Sequence, residues 1–378
     1  MTTQALPPQE AIERLLGSMS QLGASDLHLK VGYAPHYRIA GQLRKVDMPP
    51  IADTPFLVQM LENLVPQVHR EALRSATDLD CAARLPSGER YRINLFRAMG
   101  ELQISIRRVQ NVIPSFEQLH LPDVYRKSLE HTFDGLLLVS GVTGAGKSTT
   151  LAAMVEFINQ HRQWHIITIE DPVEFAFKPK RSIISQREIG IDVPDYPQAL
   201  RYVVRQDPNC ILIGEMRDHE TMLAGLQAAE TGHLVLGSLH CSDVQQTFSR
   251  VLEFFPRPQH PLIRAALANS LKGVFCQKLV PGIEENTRFP ATEVLLNNMV
   301  VKDKIVHEAE KDLPAIIAQN REDGMRSFTT SLCELVEQEK VHYDTAMDFA
   351  PNREILASAV TGIHTETQSL VGRVRKEG

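Results

Sequence analysis

Gly141, Gly146, Lys147 and Ser148 stand at the spacing G-x-x-x-x-G-K-[ST] inside the stretch LLLVSGVTGAGKSTT, residues 136–150. Glycines at these positions let a backbone curl until its N–H groups point at one centre. Such a centre binds phosphate, and a helix opening near Gly146 adds the positive end of its dipole. A lysine at position 147 reaches β- and γ-phosphates, and a Ser148 hydroxyl ligates Mg²⁺. Gly141, Thr143, Gly144, Ala145, Gly146, Lys147, Ser148 and Thr149 therefore form a candidate cradle for a nucleoside triphosphate. Downstream, Glu170-Asp171-Pro172-Val173-Glu174 and Gly214-Glu215-Met216-Arg217-Asp218 place acidic residues after apolar runs. Carboxylates there can hold Mg²⁺ or orient a water, and Glu215 takes the Walker B place. His233 and His240 bracket another apolar run.

The elements that must carry these residues are legible around them. Leu136–Val139 reads as a buried parallel strand, and LAAMVEFINQ after the glycines reads as a helix. Apolar strands fit 164–169, 210–213 and 234–239. Ahead of this block, a helix fits 9–21, with Ile12, Leu15, Leu16 and Met19 at helical spacing. A strand fits 25–31, and a hairpin fits 37–39 with 43–46 around Gly41. A helix is expected between Thr54 and Leu73, then strands at 79–84, 91–97 and 102–108, with a turn at Pro86-Ser87-Gly88. The strand arginines Arg92, Arg97 and Arg107 either face water or act on a neighbouring site. Residues 1–8 read as loose and 110–122 as an irregular linker, followed by a helix over 123–131. The division expected is a small α/β domain over 1–109, the linker, and a nucleotide-binding α/β domain over 123–378.

Composition excludes several classes. A net charge of −6 across 378 residues gives no general nucleic-acid-binding surface. Five cysteines without a C-x-x-C pair argue against a zinc module or a disulfide framework and fit a reducing compartment. No apolar run approaches the length of a membrane span, and the first residues lack the pattern of a secretory signal. Membrane association, if any, goes through a partner.

Ordered motifs extend the reading. SDLHL (25–29), YRINLF (91–96), GVTGAGKSTTLAAM (141–154), ITIEDPVEF (167–175), SQREIG (185–190), RQDPNCILIGEMRD (205–218) and AAETGHLVLGSLH (228–240) occur in sequence. Through them the chain resembles the secretion and pilus motor ATPases, most closely the type IV pilus retraction ATPases of the PilT/PilU group, from about Ser25 to Tyr343. The resemblance implies a PAS-like N-terminal α/β domain and a RecA-like P-loop ATPase domain with C-terminal helices. It implies ATP and Mg²⁺ as ligands and a homo-hexamer in the cytoplasm, peripheral at the inner face of the membrane. The implied partners are an inner-membrane pilus platform protein and, as a variant, a related motor ATPase in a hetero-assembly. Neither nucleic acid nor direct membrane insertion is implied. By motif position Glu174 takes the role of catalytic glutamate, Glu215 that of the Walker B glutamate with Mg²⁺ held through water, and His233 and His240 those of the His box. Arg92 and Arg107 keep motif positions from which arginines act across a subunit boundary, whereas Arg97 matches none clearly. Three departures stand out. Val142 and Ala145 replace the usual Pro and Ser of the loop. LLNNMVVKDKIVHEAEKD, residues 295–312, stands where retraction ATPases carry an AIRNLVRE-like helix. That last change favours an accessory, PilU-like paralogue or a divergent motor. The alternatives are a pilus or type II secretion assembly ATPase and a weakly hydrolysing accessory subunit.

Overall fold

A computed structural model describes residues 6–361, apart from residues 40, 66, 68, 69, 76, 86, 87, 110 and 286 and the side chain of Arg84. Pro86 and Ser87 of the expected turn, Gln110 of the expected linker, the first residues of the loose N-terminal stretch and the end of the expected C-terminal region lie outside the described residues. The chain divides into two compact units. The first comprises Met1–Val112 with Val173–Ala176 and Gly190–Asp192, and the second the remainder.

In the first unit α1 (Pro8–Gln21) buries Ile12, Leu15, Leu16 and Met19 on one stripe. β1 (Ala24–Lys30), β2 (His36–Ile39) and β3 (Gln42–Lys45) follow as antiparallel strands. α2 (Thr54–Leu61) begins where the Asp53 carboxylate accepts the Phe56 N–H at 2.8 Å. The helix expected between Thr54 and Leu73 is present as α2, which ends at Leu61, and α3 (Ala72–Ser75) follows later in the chain. β4 (Asp78–Arg84), β5 (Arg90–Ala98) and β6 (Glu101–Arg108) complete a six-stranded sheet of order β3-β2-β1-β6-β5-β4. Tyr91, Ile93 and Leu95 of β5 are buried, so Arg92 and Asn94 between them point to the opposite face. The Tyr37 and Tyr91 hydroxyls donate to the Leu15 and Leu16 carbonyls at 2.6 and 3.0 Å, fixing α1 on the buried face.

The second unit opens with Phe116 and Leu121, buried in one core with Tyr125 of α4 (Val124–Glu130). The later half of the expected linker is therefore packed rather than loose. β7 (Gly135–Ser140), α5 (Lys147–His161), β8 (His165–Glu170), β9 (Ile183–Glu188), α6 (Tyr196–Val203) and β10 (Cys210–Ile213) come next. α7 (His219–Glu230), β11 (Leu234–Leu239), α8 (Val244–Glu253), α9 (His260–Ser270), β12 (Leu271–Pro281) and β13 (Arg288–Leu296) complete the nucleotide-side elements. The sheet has seven strands in the order β13-β12-β7-β11-β10-β8-β9, and β13 alone runs antiparallel to its neighbour. Leu136 and Leu138 enter one core and Leu137 and Val139 the other, so β7 is covered on both faces. That is why its sequence is continuously apolar. Five further helices, α10 (Met299–Val306), α11 (Leu313–Gln319), α12 (Phe328–Glu337), α13 (Tyr343–Phe349) and α14 (Arg353–Val360), bury Val301, Leu313, Phe328, Ala346 and Leu356 in the first of these cores.

Candidate active site

Strand direction assembles the site. β8, β10, β11 and β7 are parallel, with Ile169 level with Ile213, Ile213 level with Gly237, and Leu239 level with Ser140. Glu170 at the end of β8 and Glu215, His240 and Gly141 just past their strands therefore gather at one edge of the sheet, the carboxyl ends where open α/β folds bind ligands. The Ser140 hydroxyl joins the β7 and β11 ends by donating to the Cys241 carbonyl at 3.2 Å.

The glycine loop leaves β7 and enters α5 through Gly144 at φ 80° and Gly146 at φ 86°, backbone that glycine adopts without strain. Gly146 is the N-cap of α5, so no side chain covers the first N–H groups of the helix. Lys147 is 8% exposed, and its Nζ donates to the Gly141 and Val142 carbonyls at 2.8 and 3.2 Å. The ammonium thus lies over the loop, where a phosphate oxygen competes for it. Ser148 is exposed beside it, while Ala145 is buried and Val142 exposed. Thr143 and Gly144 are exposed at the rim, and Thr149 is half-buried.

Glu215 meets His240 here, with Oε1 3.5 Å from Nε2 and both side chains open to solvent. Asp171 pairs with Arg217 at 3.8 Å. The Glu170 carboxylate accepts from the Thr168 hydroxyl at 2.6 Å and from the Gln186 amide at 3.2 Å. Tyr196, missed in the sequence, is 3% exposed, and among the described residues its hydroxyl has no hydrogen-bond partner. Burial, with Asp171 and Glu215 nearby, pushes that phenol's pKa up. No spacing signal announces it, since its neighbours come from β8 and β10.

The remaining candidates stand on other elements. His233 does not join His240: it precedes β11, and its backbone carbonyl accepts from the Gly135 N–H at 3.0 Å at the amino end of the sheet. β11 separates the two histidines by about 20 Å at strand rise. The His233 ring is held by the Ala228 carbonyl at 3.0 Å and the Thr231 hydroxyl at 3.2 Å. Two residues bracketing a single strand lie at its opposite ends. Glu174 falls in the 173–176 segment of the first unit, exposed between buried Val173 and Phe175. Arg92 and Arg107 are cross-strand neighbours in the first unit, paired with Asp80 at 3.5 Å and Asp26 at 2.8 Å. Arg97 is turned to the Gly100 and Arg74 carbonyls at 3.4 and 3.3 Å. Among the described residues no helix is long and apolar enough to cross a membrane.

Comparison with known proteins places the chain in a family. The family model for type II/IV secretion system proteins matches residues 2–349. The type IV pilus retraction ATPase PilT of Pseudomonas aeruginosa is 33% identical over 90% of this chain and 98% of its own length. The type IV pilus ATPase PilU of the same organism is 34% identical over 89% of this chain and 88% of its own length. A crystal structure of the pilus retraction motor PilT with bound ADP superposes with a TM-score of 0.83 at 35% identity, covering 90% of this chain and 97% of that one. Its architecture, an N-terminal domain followed by a RecA-like ATPase domain, is the α/β architecture found here. The chain belongs to the type II/IV secretion system protein family and is an ATP-hydrolysing enzyme.

Proposed function

We propose that this chain is a motor ATPase that couples ATP hydrolysis to type IV pilus retraction, working as a homo-hexamer in the cytoplasm. The observation that carries the reading is the likeness to pilus retraction ATPases over 90% of the chain, both units included. In this reading Lys147 and the loop N–H groups bind the triphosphate. Ser148 and Glu215 hold Mg²⁺, Glu215 through water, since hydroxyl and carboxylate oxygens are the hard donors this cation takes. The ion, when bound, supplies charge neutralisation at the transferred phosphoryl. Glu174 accepts the proton of the attacking water, and His240 orients Glu215 from across the sheet edge. Arg92 and Arg107 act on the ATP site of a neighbouring subunit. The domain boundaries 1–109 and 123–378 fit that division of labour. An inner-membrane pilus platform protein is the mechanical partner, which places the ring at the inner face of the membrane.

A second reading, an accessory motor assembled with a related ATPase, is favoured by the sequence of α10. Its Met299-Val300-Val301-Lys302-Asp303-Lys304 carries no arginine where retraction ATPases have an AIRNLVRE-like helix. Deleting the gene and scoring piliation and twitching decides between classes. Hyperpiliation without twitching supports retraction. Bald cells support assembly, and normal piliation with weakened retraction force supports the accessory role. Steady-state ATPase activity of the purified chain separates a motor from a weakly hydrolysing subunit.

A further inference from the structure

We infer that Gln277, on the strand beside the phosphate loop, is a positioning residue that sets the loop's binding geometry. β12 runs parallel to β7 with Cys276 level with Ser140, so Gln277 stands level with the loop's first glycine. It is 1% exposed. Its Nε2 donates to the Ala145 carbonyl at 2.6 Å, and its Oε1 accepts from the Thr150 hydroxyl at 2.9 Å. One buried amide thus bridges the loop to the first turn of α5. Thr150, itself 2% exposed, fixes which end of the amide faces the loop.

The consequence follows from the planar trans peptide, in which C=O and N–H point to opposite sides. With the Ala145 carbonyl pinned toward β12, the Gly146 N–H must point away from β12. Convergent N–H groups of this kind are what bind phosphate at a helix N-terminus. The same strand explains two glycines. A Cβ on Gly141 would lie 2.6 Å from the Gln277 carbonyl oxygen, and one on Gly146 would lie 3.1 Å from Nε2. The loop is therefore moulded against Gln277, whose side chain acts through the loop backbone without touching substrate.

This inference rests on reading residues 141–148 as the phosphate site, and the Lys147→Ala variant tests that reading separately. Full-length Gln277→Glu, Gln277→Leu and Thr150→Val are compared with wild type by titration with a fluorescent ADP analogue and by the KM and kcat of ATP hydrolysis, with melting of the nucleotide-free protein as a fold control. Gln277→Glu keeps the acceptor for Thr150 but sets a carboxylate oxygen against the Ala145 carbonyl. Near pH 8 it should bind ADP roughly 10-fold or more weakly, the effect of leaving one buried polar group unsatisfied. Burial beside a carbonyl raises that carboxyl's titration, the protonated acid donates to the carbonyl, and at about pH 5 affinity should move back toward wild type. Gln277→Leu should lose a similar factor with no recovery at low pH. If Gln277→Glu does not fold, Thr150→Val decides: a rise in KM of a few-fold supports the inference. Wild-type affinity in all variants that fold, or equal losses in Gln277→Glu at both pH values, would overturn it. Loss of binding in Lys147→Ala alone, with Gln277 variants unaffected, would overturn the inference while leaving the phosphate site intact.

Discussion

Lys147 is the charge on which the loop depends, since its ammonium already sits against the Gly141 and Val142 carbonyls. Lys147→Ala should lower ATP turnover by roughly 10²-fold or more, the scale of removing one preorganised charge donor. Circular dichroism should be unchanged, and near-wild-type turnover would remove Lys147 from the site. The two glutamates call for a paired test. Glu215 faces His240 at the sheet edge, and Glu174 lies in the 173–176 segment. Glu174→Gln keeps size and much of the hydrogen bonding but cannot accept a proton. It should bind ATP with near-normal affinity and hydrolyse it about 10²–10⁴ times more slowly. Normal turnover in Glu174→Gln beside dead Glu215→Gln would exchange the two roles. Motif residues such as Lys147 and Glu215 were legible because chemistry fixes their spacing. Tyr196 and Gln277 were not, because the neighbours of each are brought close only by the sheet, Gln277 meeting Ala145 across 132 residues of chain.

At the scale of elements, legibility followed burial. β7, β10 and β11 are buried along their whole length and read as apolar runs. β9 is an edge strand in which only Ile183 and Ile184 are apolar ahead of Ser185, Gln186, Arg187 and Glu188, too short a run to announce a strand. β12 and β13 were missed because Lys272, Gln277, Lys278 and Glu293 interrupt their patterns. Glu293 has a use in the fold: its Oε2 accepts the Val244 N–H at 2.8 Å and so caps α8, which begins just after His240. Burial pushes its pKa from 4.5 to about 7. Between those values the folded chain holds a proton that the unfolded chain has released, so stability falls as pH rises through the window and levels off above it. The size is on the order of a few kcal/mol. Glu293→Gln keeps an oxygen acceptor and never ionises. Its melting temperature should therefore gain on wild type between about pH 5 and pH 8. Parallel melting curves for the two proteins across that range would show that Glu293 titrates as an ordinary surface carboxyl.

At the scale of the whole molecule, the open question is where positive charge for the transferred phosphoryl comes from. The phosphate loop offers Lys147 and no arginine, and an arginine supplied from outside the loop is worth 10³–10⁵ in rate in other phosphoryl-transfer enzymes. Arg92 and Arg107 lie directly opposite each other on β5 and β6, an arrangement in which like charges repel. Asp80 and the buried Asp26 offset that repulsion and orient the two side chains, while Arg107 remains 66% exposed. An exposed guanidinium held by a buried carboxylate is prepared to meet an anion outside its own unit. In the proposed hexamer, ATP hydrolysis should therefore require assembly, with these arginines acting in trans. Lys147→Ala subunits are mixed with subunits carrying both Arg92→Ala and Arg107→Ala, melting curves having first confirmed that the arginine variant folds with Asp26 left to Arg38, 3.8 Å away. Each homo-oligomer should be nearly inactive. In mixed rings some sites pair an intact phosphate loop with intact arginines from the neighbour, and part of the activity should return. If mixed rings are shown to form and nothing returns, the two arginines are structural charges of the sheet, and the charge that assists transfer must come from another residue.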